Sequence, residues 1–393
     1  MLKLPKNIYV ISIVMSLSFT TSSMMILVAG ILGAAIAPNP ELATLPIAIM
    51  IVGSAVATIP AALIMQRVGR KAGMATGAII SLLGLALTYH AAMTANFWLF
   101  TVGALCLGLN VAFIQQGRFI IIENAENQQQ QADGISLALM ANLFAAIIGP
   151  QMGAYGKDLV TSPAGFAGSF LLAGVLVLLA LFVLSLFKDQ KNNAEQTQTT
   201  DRTISTIAKQ PIFIMAAGSA AIGFGVMSLV MTATPISMHE ITGLSLEHTT
   251  FVIQSHIVAM FLPSLFSGML IKKGYRTSLL IAGLSLYVLV ALIAFSGVHV
   301  LHYWWALVLL GLGWNLLFVT STNLLPNAYS GSEKFKAQAL NDFLVFTTQA
   351  MAAFAAGWLL FNLGWASLLQ IALIISISWA AYVLFLHQKL KKA

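Results

Sequence analysis

The sequence predicts an all-α membrane protein: twelve transmembrane helices in two pseudo-symmetric six-helix halves. Three observations carry this. Of 393 residues, 59% are hydrophobic and only 8% charged, where a soluble domain carries about 25% charge. Mean hydropathy is +0.90. So few charges cannot cover a water-facing surface, and lipid is the solvent that accepts such a chain. Second, the apolar runs are long enough to cross the hydrocarbon core, which takes about 20 helical residues. Third, the one long polar stretch divides those runs six and six.

The runs fall at 8–36, 44–65, 74–92, 98–122, 135–156 and 164–187, then at 210–236, 249–271, 278–297, 303–325, 337–361 and 365–386. The first follows Lys3 and Lys6 but far exceeds a signal-peptide core of about 7–15 residues, so it reads as a retained helix. Lys and Arg set the orientation. With both termini in the cytoplasm, 17 of the 19 basic residues fall on that side; Lys157 falls outside and Arg118 within or at the inner end of span four. The net charge of +7 is thus an orientation signal. No segment is long enough for a folded basic domain, so nucleic acid is not an expected partner. Cys106 stands alone in an apolar run, which excludes a disulfide framework.

Residues 188–209 (KDQKNNAEQTQTTDRTISTIAK) are too polar to bury a core and read as a flexible cytoplasmic linker. The expected domains are therefore 1–187, the linker 188–209, and 210–393. A modest internal repeat supports the division. Arg67-Val68-Gly69-Arg70-Lys71 stands between spans two and three, and Lys272-Lys273-Gly274-Tyr275-Arg276 between spans eight and nine. Both are short basic turns with a central Gly, which permits φ > 0.

Two motifs then carry a resemblance. Arg67-x-Gly69-Arg70-Lys71 matches the core of a loop signature, with Ala62 where the pattern has Gly and Gln66 where it has Asp. Gly149-Pro150-x-x-Gly153 in span five matches a second signature. Over its whole length the chain resembles the major facilitator superfamily of secondary transporters. The segments around Arg118, Gln254 to Pro263 and Asn341-Asp342-Phe343 resemble a bacterial branch of uncharacterised permeases. The resemblance implies a bacterial inner-membrane location, a mid-membrane substrate site between the halves, and rocking of one half against the other. Some relatives are reported as riboflavin importers, so a riboflavin-type importer is kept as an alternative. So are efflux and facilitative uniport on the same fold.

Ionisable groups inside a membrane are costly and mark functional candidates. Away from span ends the chain offers His256, about 6 Å from the middle of span eight. An imidazole titrates near pH 6.5, which suits proton coupling. A substrate contact or a neutral interhelical hydrogen bond are the other readings. The remaining mid-membrane candidates are uncharged: Asn110, Asn142, Gln254, Trp314, Asn315 and Gln349. Lipid offers amides no partner, so each must meet substrate or another helix. Such a cavity suits a neutral or amphipathic organic solute. The resemblance further implies that Glu123, at the inner end of span four, pairs with Arg70. With Arg67, Gly69 and Lys71 the pair would then latch the halves on the inside. Asp342 lies near the same surface; the missing acid at Gln66 leaves only an uncharged hydrogen bond there. Gly149, Pro150 and Gly153 read as a kink motif, since Pro removes a helix hydrogen bond.

There is no His-Glu-x-x-His, Cys/His cluster, Gly-x-Ser-x-Gly or Walker loop, so neither an enzyme nor ATP coupling within the chain is expected. A channel or membrane receptor is the rival class, and nothing resembles a selectivity filter. No cofactor or metal is expected. The expected partners are a small-molecule substrate, protons and the lipid bilayer, with a monomer as the working unit.

Overall fold

A computed structural model describes residues 4–189, 202–264, 274–329 and 333–392. Lys3, linker residues 190–201, Lys272, Lys273 and the end of span eight (265–271) lie outside them. Lipid cannot satisfy a free backbone amide, so each crossing must close its own hydrogen bonds as a helix. Ten described helices are long and apolar enough to cross. Spans one to three are Lys6–Ile36, Leu45–Val68 and Arg70–Thr94. Span four is Phe97–Gln115, continued by Gly117–Asn124. Spans five and six are Gln128–Gly156 and Ala167–Ser185.

In the second half span seven is Pro211–Pro235, extended by a π-turn over Ile236–Ile241. Spans nine and ten are Arg276–Phe295 and Val300–Leu324. The 56-residue apolar stretch Lys336–Lys391 lies in one helical run that bends at Gly364, where φ is +80°, and so forms spans eleven and twelve. Span eight has only Leu246–Phe261 within the described residues, 16 in all. Helix ends exceed the predicted runs by a few residues at several places, because helices continue past the hydrocarbon. The bend of span four was not foreseen. It occurs where Gly117 brings the helix against Met15 of span one; a Cβ there would stand 2.3 Å from the Met15 sulfur.

The two halves pack alike. Span one lies on five and six, two on four, and three on four and six. Seven lies on ten and on the eleven–twelve run, eight on ten, and nine on ten and that same run. Small residues let the backbones approach, as is usual between membrane helices. Gly108 of span four meets the Met50 backbone of span two, and Gly311 of span ten meets the His256 backbone of span eight. The same contact is thus made twice, once per half. Between the halves, span two meets eleven and span five meets eight.

The turns bearing Arg70, Lys71, Lys188 and Arg276 share one end of the bundle, called the basic face here. Four hydrogen bonds that join the halves lie towards the opposite, far face. Thr44 donates to the Phe354 carbonyl at 3.4 Å and accepts from the Gly357 amide at 3.1 Å. Gln254 Nε2 donates to the Ile147 carbonyl at 2.6 Å, and Gln151 Nε2 donates to Gln254 Oε1 at 3.2 Å.

Candidate functional site

At mid-depth the halves meet through rings. Phe19 of span one stands edge-on to Phe261 of span eight, centroids 5.7 Å apart. Phe261 lies 6.2 Å from Trp314, which stacks at 4.9 Å and 16° on Phe318 one helical turn along span ten. Phe224 of span seven closes the group, 5.1 Å from Trp314 and 5.5 Å from Phe318. Trp314 is buried, while the four Phe rings stay half-buried. The indole Nε1–H of Trp314 has no partner among the described residues. Nor do the hydroxyls of Ser23, Ser228 and Thr232, or Asn142 Oδ1. Unmade hydrogen bonds in a buried site are costly. A cluster of ring faces beside free donors and acceptors is therefore chemically suited to a flat, polar-edged molecule.

The predicted site residues separate into three groups. Trp314 belongs to the ring cluster, and Asn142 carries one of the unpaired oxygens. Gln254 closes the far-face seam. It also borders a groove of about 370 Å³ between spans eight and ten, whose walls include Phe251, Val258, Leu262 and Trp304.

Others hold helices together. His256 is fully buried. Its Nδ1 lies 2.8 Å from the Leu307 carbonyl of span ten. A carbonyl only accepts, so in this contact the Nδ1–H donates; Nε2 has no partner among the described residues. Asn315 donates to the Met260 carbonyl at 2.7 Å and to Ser264 Oγ at 2.6 Å, joining ten to eight. Asn110 is buried with Oδ1 turned to Gly77 of span three, where a Cβ would come within 2.8 Å of it. That contact lies inside the first half. Gln349 is half-buried.

At the basic face Arg70 holds Glu123 through a two-pronged ion pair, with Nε donating to Oε2 at 3.0 Å. The pairing is as expected, but it joins spans three and four of one half. In this conformation it latches no half to the other. Arg67 is exposed. No acid stands at Gln66, but Asp189, at the start of the linker, accepts the Lys71 amide at 3.0 Å beside the loop. Gly69, at φ +91°, leaves the space, since a Cβ there would meet Asp189 Oδ2 at 2.9 Å. Asp342 accepts from Asn341 at 3.1 Å and feels the charge of Arg118. Arg118 itself is exposed at the bend of span four. Gly149 and Gly153 face span one, at Ser23 and Val28, so the Gly-Pro-x-x-Gly motif sets a close helix approach. Span five stays helical through Pro150.

Sequence reasoning missed Phe19, Phe224, Phe261, Phe318 and Asp189. The Phe residues look like any others in apolar runs, and only Trp314 stood out. Asp189 sat in a segment read as linker.

Paired six-helix halves meeting at a mid-depth seam, with charged turns on one face, define a multi-pass membrane protein of the solute-transporter class. The Major Facilitator Superfamily model matches residues 10–324, and the chain belongs to that superfamily. It is 35% identical over 365 residues to the riboflavin transporter RfnT of Brucella anthropi, covering 92% of this chain and 91% of that one. It is 29% identical over 337 residues to the uncharacterized MFS-type transporter YddS of Bacillus subtilis, covering 81% and 76%. A solved auto-inhibited POT family peptide transporter superposes with TM-score 0.70 over 99% of this chain and 97% of that one; at 10% identity the likeness is one of fold. The protein is a superfamily transporter of a small solute.

Proposed function

We propose that the protein moves a flat, neutral heteroaromatic solute, riboflavin or a close chemical relative, across the bacterial inner membrane by alternating access. The observation that carries this is the ring cluster around Trp314, with an indole N–H and buried polar atoms in the spans beside it that have no partner among the described residues. The name of the Brucella anthropi relative supports the same chemistry. The basic face is cytoplasmic by the Lys/Arg bias. Residues 1–187 and 210–393 rock about the seam, 188–209 joins them, and one chain is the working unit. The far-face hydrogen bonds support a conformation closed to the outside.

The test is uptake of riboflavin into proteoliposomes, with flavin fluorescence quenching for binding. Saturable uptake blocked by neutral flavins supports the reading; no binding and no uptake would reject this substrate class. A pH gradient should drive accumulation if His256 couples transport to protons. His256→Gln then abolishes gradient-driven accumulation while flavin exchange persists. Unchanged accumulation in that variant would move coupling to Asp342 or Glu123.

A further inference from the structure

The repeat of contacts between the halves can be followed to the basic face. Arg70 is the first residue of span three, directly after Gly69; Arg276 is the first residue of span nine, two residues after Gly274. Glu123 ends span four, and Glu333 follows span ten before span eleven begins. In the Gly-to-Gly register of the two turns Arg276 stands opposite Lys71, and Glu333 lies directly before the start of span eleven. In the first half Arg70 and Glu123 pair. In the second, Glu333 is held by Arg202, a residue of the linker.

The grip is thorough. The Glu333 side chain is 3% exposed. Its Oε1 accepts from Arg202 Nε at 2.7 Å and from the Arg202 amide at 3.1 Å, and its Oε2 accepts from Nη2 at 2.6 Å. Arg202 Nη2 and Gln210 Nε2 also donate to the Ala328 carbonyl, at 3.3 and 2.9 Å. A planar guanidinium matches a carboxylate in this bidentate way and a lysine does not. Meanwhile Arg276 Nε is buried with no partner among the described residues. At its other end the linker places Asp189 on the first turn of span three, beside the Arg70–Glu123 pair. Just before it, Lys188 is tied to Asn7, whose Nδ2 also reaches Asn124 at 2.6 Å.

We propose that the end of the linker at Arg202 is a working part of the transport cycle: Arg202 holds the buried Glu333 and through it positions the basic-face end of span eleven. Span eleven meets span two across the seam, so its placement sets the balance between conformations open to either face. Arg202 is a positioning residue and touches no substrate in this role.

The test needs no substrate. In the full chain carrying Cys106→Ser, spin labels at Val68→Cys and Tyr275→Cys report the separation of the halves at the basic face. Both positions are exposed. Arg202→Gln and Glu333→Gln should each shift the ratio of long to short distances by roughly five-fold or more, the lower end of ordinary coupling between sites. Arg202→Lys should restore it only in part. In riboflavin uptake the maximum rate should fall with KM unchanged. Arg202 is partly exposed, so its variants test the idea even where a Glu333 variant fails to fold. A parent-like distance distribution in Arg202→Gln overturns the proposal. So does an equal shift in Lys209→Gln, an exposed linker cation, which would mean a general charge effect. A shift in Arg276→Gln but not in Arg202→Gln would move the role to Arg276 and likewise overturn the proposal. A missing riboflavin signal with an intact distance shift would reject the substrate and leave the linker proposal standing.

Discussion

The two halves share a packing plan and divide the chemistry unequally. The second half supplies four of the five rings at mid-depth, Phe224, Phe261, Trp314 and Phe318; the first supplies Phe19. At the basic face the first half closes its acid with its own Arg70, at an exposed carboxylate. The second buries its acid and takes the cation from the linker. A repeated backbone is therefore no guide to repeated side-chain roles. Packing contacts such as Gly108 on Met50 and Gly311 on His256 recur because helix spacing demands them. The ring cluster and the charge partners do not recur, because nothing in helix packing requires them twice.

That inequality can be broken most sharply at the ring cluster. Trp314→Ala should weaken flavin binding about tenfold or more, measured by fluorescence quenching. Each aromatic contact contributes roughly 0.5–1.5 kcal/mol, and tenfold corresponds to about 1.4 kcal/mol. Phe19→Ala, which removes the first half's single ring, should cost only several-fold. Equal losses at the two sites would mean that the ligand is shared evenly across the seam.

The far-face seam offers an intermediate effect. A Cβ at Gly357 would stand 2.8 Å from the Glu41 carbonyl and 2.7 Å from Thr44 Oγ1. Overpacking of this kind costs about 1–3 kcal/mol. Gly357→Val should therefore raise the reactivity of a cysteine introduced at the buried Ala43, in a Cys106→Ser background, by about tenfold in a thiol-labelling assay. Unchanged labelling would show that the seam accommodates the added bulk there.

The smallest effect is expected at the exposed pair. Solvent-facing ion pairs contribute about 0–1 kcal/mol. Glu123→Gln should then barely move the melting temperature, whereas Glu333→Gln should lower it visibly, because the Arg202 fork loses a buried charge. Equal shifts in a thermal scan would erase the distinction between the two basic-face pairs.

Much of this was legible residue by residue. The Arg70–Glu123 pair was what the family resemblance implied, and it is present, though within one half. Gly149 and Gly153 were marked by their motif, though their work is close packing on span one. His256 was marked by polarity alone. Its bond to Leu307 could not be read, because a lone His in an apolar run gives no sign of which neighbouring carbonyl it meets. Arg202 and Glu333 are 131 residues apart, and the first lies in a stretch whose composition suggested only tethering. Phe19 and Phe261 face each other solely because spans one and eight are neighbours in space.

Apolar run length and charge bias determined by themselves that the chain crosses a membrane as a dozen helices in two halves, since lipid excludes both free amides and scattered charges. Tertiary structure alone decided which rings converge, which amides hold helices together, and that the linker supplies a carboxylate to one half and a guanidinium to the other. Side-chain partners depend on which helices are neighbours and how each is rotated, and a one-dimensional apolar pattern leaves both open.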